Sequence, residues 1–216
     1  MQIGQNRSSG GIDTSNVSQV VAKLLGLVED MKGLTQQLKG AVAQARAARD
    51  HLRSVQSRSP GGLKGDALAA FNAQKAADVS SAQSALGSAL NSVSRVEQKL
   101  ASKEQEIHKA ETTEMSGAER KDKQIQDAKA EAQKQAQEAF ASSSELSTEV
   151  EEASDNSEEI RVVVRRQEMK IGNEVRTLNA FSVVNSARQP GDEVKKVTGN
   201  VAGTPGGGLP PIDFGG

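Results

Sequence analysis

Apolar residues recur along the first quarter of this chain with a seven-residue period. With Val17 at heptad position a, that position is filled by Val17, Leu24, Met31, Leu38, Ala45 and Leu52. Position d is filled by Val20, Leu27, Leu34, Ala41, Ala48 and Val55. Every one of these is apolar, the mark of a helix that buries one stripe against another helix. The spacing predicts a single helix over about 16–57, roughly 60 Å long, with Asp13, Thr14 or Ser15 as its N-cap. Gly26, Gly33 and Gly40 recur at position c, where they weaken the helix slightly and allow a close backbone approach or a bend.

The pattern stops at Ser57-Arg58-Ser59-Pro60-Gly61-Gly62, whose proline and glycines supply turn conformations. A second helix is expected from near Gly65-Asp66 to about 112. Its seam carries Val79, Leu86, Val93, Leu100 and Ile107 at a, with Ala82, Ala89, Val96 and Ala110 at d and Lys103 as the exception. Neither stripe is stable in water, so the two should pair as an antiparallel helical hairpin over 14–115.

Beyond this the stripe thins. Residues 118–158 hold only Ile125, Phe140, Leu146 and Val150 as large apolar side chains, which predicts a solvated or fraying helix. Asp155-Asn156-Ser157 reads as a break or a fresh N-cap. Ile160, Val164, Ile171, Val175, Leu178 and Phe181 then return at helical spacing, so 116–189 is expected to be a further helical segment. Residues 1–13 read as a disordered N-terminus and 190–216 as a flexible Gly/Pro-rich tail, with Leu209 to Phe214 a plain end or a docking peptide. The expected fold class is all-α with coiled-coil-like packing.

Composition agrees with thin helix-on-helix packing and argues against a compact α/β enzyme: the chain has 4 Phe and no Trp or Tyr. It also has no Cys, which excludes disulfides, thiolate zinc sites and a catalytic thiol. The net charge of −1 divides into +5 over 1–110, −9 over 111–160 and +3 over 161–216. The densest basic block, Arg161 to Lys170, reads as a solvated helix face balancing the acidic block. Nucleic-acid binding is not expected, for want of net positive charge and stacking aromatics.

Candidate chemistry is sparse. His51 and His108 have no ligand partner at metal-binding spacing, and Ser154-Asp155-Asn156 stands without the SxxK and KTG elements it would need. Gly61 to Gly65 lacks phosphate-loop spacing, and the sequence indicates no apolar pocket to perturb a carboxylate. The reading is a non-enzyme with no catalytic residue, no cofactor and no metal. No stretch reaches the roughly 18–20 apolar residues of a membrane span. The first ten residues lack the apolar core of a cleavable leader, so the expectation is secretion by a leaderless route or, alternatively, a cytoplasmic location.

The turn carries the one informative motif. Leu63-Lys64-Gly65-Asp66-Ala67-Leu68-Ala69-Ala70-Phe71 resembles the Trp-X-Gly and Leu-X-Gly helical-hairpin family of type VII secretion substrates. In that family Trp-X-Gly lies between two long helices, small residues follow, and an aromatic comes shortly after. Leu63 stands in the Trp place, Gly65 in the Gly place and Phe71 in the aromatic place, with Ala67 and Ala70 between. Two departures are plain: the family's export signal usually has a Tyr, which this chain lacks, and minimal members lack a third helical segment. The resemblance implies a secretion substrate or secretion-associated partner acting through helix–helix assembly. In physical terms Leu63 would plug the hairpin end, Gly65 would turn the chain and Phe71 would cover the seam.

A coiled-coil scaffold, or a structural subunit of a filament or phage-like particle, fits the same helices. In either case Val21, Val28 and Val42 at e, Leu25 at b, and Leu90 on the second arm widen the apolar faces beyond what one facing helix covers. They are the expected interface of a homo- or hetero-oligomer, unless residues 160–185 fold back as a third helix over them.

Overall fold

The computed structural model describes residues 19–155 and 160–185. The expected disordered N-terminus, the tail and the 209–214 segment lie outside the described residues. Helix α1 is Gln19–Gln56 and α2 is Gly65–Thr113, close to the bounds the heptads predict. Gly61 and Gly65 both sit in the left-handed region, at φ 59 and 57, so the turn uses glycine where a side chain would be strained. Lys64 gives α2 no side-chain cap, and Asp66 in its first turn faces the positive end of the helix dipole.

Ion pairs show how the arms align. Lys23 meets Glu114 at 2.7 Å, Lys103 meets Asp30 at 3.4 Å, and Arg58 meets Asp78 at 2.6 Å. The order is antiparallel. Arg58 lies just past the end of α1, so the residues of α2 before Asp78 reach beyond it, by roughly 20 Å at 1.5 Å per residue. No residue from Gly65 to Ser81 is buried.

A short helical turn, Glu119–Lys121, leads into α3, Lys123–Asp155. Arg120 ties the connection by donating to the carbonyls of Thr112 at 2.9 Å and Met115 at 3.1 Å. Asp122 opens α3 by accepting the Gln124 N–H at 2.9 Å. The expectation of a solvated helix here is corrected: α3 buries Ile125, Ala132, Ala136, Ala139, Phe140, Ser143, Leu146, Ser147 and Val150. Most of that stripe is Ala and Ser, too small to register as a hydrophobic signal, yet small enough to bring α3 close to α1.

Helix α3 runs parallel to α1. Lys39 pairs with Glu138 at 3.4 Å, and Arg46 pairs with Glu145 at 3.4 Å and Glu149 at 3.2 Å. Arg49 also pairs with Glu149. The negative block of 111–160 is thus met largely by basic residues of α1, rather than by Arg161–Lys170 alone; from that block Arg166 reaches Glu151 at 2.9 Å.

The second correction concerns 160–185, which is a β-hairpin and not a helix. Strands β1, Ile160–Ile171, and β2, Glu174–Asn185, pair antiparallel in one unbroken register. The turn is Gly172-Asn173 with Gly172 at φ 58, a two-residue hairpin connection with glycine first. The run Val162-Val163-Val164 and the Phe181-to-Val184 stretch are rich in residues that favour a pleated surface. Of the six residues that suggested a helical stripe, Val175 is 58% exposed. Along β2 the buried side changes from Arg176 and Leu178 to Asn179 without a register slip, as the strong twist of a two-stranded ribbon allows.

Helix α1 packs along both α2 and α3, which touch each other little; the ribbon lies over α2 and α3 and closes that side. The protein is therefore a mostly helical bundle whose fourth position is a β-ribbon. No described helix is long and apolar enough to cross a membrane.

Candidate functional site

Two regions of the bundle carry the candidate residues. The first is the hairpin end. Leu63 is 43% exposed, so it does not plug the end as the sequence suggested; Pro60 and Gly61 turn the loop so that Leu63 faces water. Gly65 makes the turn, and Phe71 is half-buried on the α2 extension, as is Leu68. This end carries Leu63 in the loop, with Leu68 and Phe71 one helical turn apart at the start of α2.

The residues expected at a partner interface have a different fate. Val21, Leu25, Val28, Val42 and Leu90 are all buried within the single chain. Helix α3 lies along α1 and the ribbon lies along α2, so the breadth of these apolar faces is accounted for internally.

The second region is the groove between α2 and α3 beneath the ribbon. It is floored by carboxylates that recur every seven residues on α2: Glu97, Glu104 and Glu111, all buried. Each is met differently. Glu97 is fully buried; it accepts the Ser143 hydroxyl, the Asn179 N–H at 2.8 Å and the Asn179 side-chain amide at 3.2 Å. The Ser94 hydroxyl returns a bond to the Asn179 carbonyl at 2.6 Å. Three elements, α2, α3 and β2, thus share one polar cluster.

Glu104 is bound by Arg176 of β2 at 3.3 Å, and Arg176 also pairs with Glu174. The guanidinium stands 6.0 Å from the centre of the Phe140 ring. Glu111 accepts Lys129 of α3 at 2.6 Å. Burial pushes the carboxyl of Glu97 up, against the opposing pull of Ser143 and Asn179. Burial likewise pushes Glu104 up, and Arg176 opposes it.

At the turn end of this groove is a cavity of about 240 Å³. Val28, Met31, Ile107 and Ile171 make its apolar side, and Glu104, Glu111, Lys129, His108 and Glu174 its polar one. His108, half of the histidine inventory, stands 3.8 Å from where a side chain on Gly172 would begin. His51 is exposed on α1, away from these groups. No group of three or more His, Cys, Asp or Glu among the described residues is arranged to hold a metal ion.

Sequence reasoning did not foresee this groove. Its signal was present: Glu97, Glu104 and Glu111 occupy the heptad position that Leu90 fills one turn-pair earlier, directly beside the seam. Charges repeating at a position that is apolar upstream mark a buried polar track once something covers it. Comparisons with protein families, with curated proteins and with solved structures find no match to this chain.

Proposed function

We propose that this chain is a non-enzymatic interaction protein of the type VII secretion-substrate kind, whose partner contact is the loop end of its helical hairpin. The observation that supports this most is the bare α2 extension. Leu63 lies in the Leu-Lys-Gly turn and Leu68 and Phe71 follow within two helical turns of Gly65, on a stretch where no residue from 65 to 81 is buried. A helix end of this length gains little from folding alone, because its side chains are at most half-buried. Packed against helices of a partner, the same three side chains would leave water together.

This reading moves the contact away from the broad face of α1, which α3 already lines. An intracellular scaffold or particle subunit is the competing reading, built on the same helices.

The test is to express the chain in cells with a type VII secretion ATPase, intact or deleted, and to follow it in cells and medium with an antibody. ATPase-dependent appearance in the medium is expected for the wild type, and its loss for Leu63→Asp and Phe71→Asp. A chain retained in cells under both conditions, or released equally without the ATPase, overturns the proposal.

A further inference from the structure

The cavity beneath the ribbon turn lies at the opposite end of the bundle from Leu63 and has its own chemistry. Its polar wall is out of balance. Three carboxyl groups, Glu104, Glu111 and Glu174, stand against two cations, Lys129 in the wall and Arg176 behind it. Lys129 is engaged with Glu111, and Arg176 is shared between Glu104 and Glu174. His108 is the remaining titratable group of the wall. Glu104, only 6% exposed, has one oxygen on Arg176; its other oxygen, Oε2, has no hydrogen-bond partner. A buried acceptor left without a donor is costly, and a carboxylate torsion is soft enough to turn such an oxygen toward an entering group.

The opposite wall is aliphatic. Val28, Met31, Ile107 and Ile171 line it, with Ala132 leaving room on the α3 side. The site therefore asks for a ligand with a compact positive head that donates hydrogen bonds and a short apolar stem. A bare metal ion would leave the aliphatic wall uncovered, and the described carboxylates do not converge to hold one.

We propose that this cavity binds a primary alkylammonium group, its charged head beside Glu104 and Glu174 and its alkyl stem against Val28, Met31 and Ile107. One such cation offsets the excess of carboxyl groups over Lys129 and Arg176 and brings a hydrogen-bond donor to Glu104. A cavity of about 240 Å³ accommodates a stem of a few carbons. The same head and stem belong to small free amines and to lysine side chains.

The test is titration of the full-length chain with n-butylammonium, followed by calorimetry and by amide NMR shifts. Saturable binding is expected, with a Kd on the order of 1 mM or tighter. n-Butanol, which keeps the stem and loses the charge, should bind at least about tenfold more weakly. Glu104→Gln should lose a comparable factor. Gln133→Lys, at a partly exposed rim position, should abolish binding by supplying a tethered ammonium of its own, and it avoids disturbing the buried carboxylates.

No saturable response to butylammonium at about 10 mM overturns the proposal, as does equal binding of butanol. Unimpaired binding by Gln133→Lys overturns it too, even if Glu104→Gln fails to fold. A parallel titration with Nα-acetyl-lysine amide distinguishes the sources. Binding of both probes supports a lysine side chain as ligand, and binding of butylammonium alone supports a small free amine.

Discussion

Asn179 of the ribbon gives its backbone N–H to Glu97 of α2 at 2.8 Å, and that carboxylate is wholly out of water. The contact fastens β2 to the bundle through a group that burial disfavours, so its removal should be felt at both ends. Glu97→Ala leaves the Asn179 N–H and the Ser143 hydroxyl without their acceptor. It should destabilise the fold by about 2–4 kcal/mol in urea denaturation. Hydrogen exchange at Asn179 should accelerate more than at Leu24 of α1. An unchanged Asn179 amide would mean that the Glu97 contact does not hold the ribbon to the bundle.

The raised carboxyls of Glu97 and Glu104 also set a pH dependence. A folded-state acid with a raised pKa binds its proton more tightly than the unfolded chain does. Its contribution to stability is therefore present at acid pH and is lost as pH rises from the ordinary carboxylate range through the raised folded value. In the double variant Glu97→Gln, Glu104→Gln that contribution is gone. The stability of the variant relative to wild type should be greater at about pH 7.5 than at about pH 5, whatever constant offset the lost Arg176 pair adds. Melting curves at the two pH values check the sign. A difference that is flat, or that grows toward acid, removes burial as the dominant influence.

The helical arms were legible because a heptad stripe needs only large apolar residues at fixed spacing, and α1 and α2 supply them. α3 was half legible. Its spacing of Ala132, Ala136, Ala139 and Ser143 is helical, but small side chains look alike in a core and on a surface until the partner helix is known. The ribbon was misread for a different reason. Ile160, Val164, Ile171, Val175, Leu178 and Phe181 satisfy helical spacing by accident, while Gly172-Asn173 between two runs rich in Val was the stronger local signal. The buried glutamates could be seen as a repeat, but their burial depends on that ribbon, so misreading the one concealed the other.

Glycines separate positions where the backbone requires them from positions where it does not. Gly172 has a positive φ, and a methyl added there would meet His108 only at ordinary contact distance, so the cost of Gly172→Ala is conformational. It should lower stability by about 1–2 kcal/mol and loosen β1 and β2 amides first. Gly26, Gly33 and Gly40 are exposed on α1, and among the described residues a methyl added at any of them would meet nothing, so no described backbone approaches them closely. Each Gly→Ala change there should stabilise by about 0.5–1 kcal/mol. Denaturant midpoints that fall instead would point to a contact these exposed positions make elsewhere.

Leu38 and Leu63 are the same residue in opposite situations. Leu38 is fully buried in the α1 seam, and Leu63 is 43% exposed at the turn. Leu38→Ala should cost about 3–5 kcal/mol, because the helices cannot close over the lost side chain. Leu63→Ala should cost about 0.5 kcal/mol or less, as for other surface changes. Phe71, half-buried, should fall between them. If Leu63→Ala is instead as damaging as Phe71→Ala, the loop is a packed plug in solution and its side chain is not free for a partner. If it is neutral for folding but lost from the medium in the secretion experiment, stability and contact are separated at one residue. That separation is what an exposed leucine at the hairpin end requires if its purpose is to be buried by another molecule.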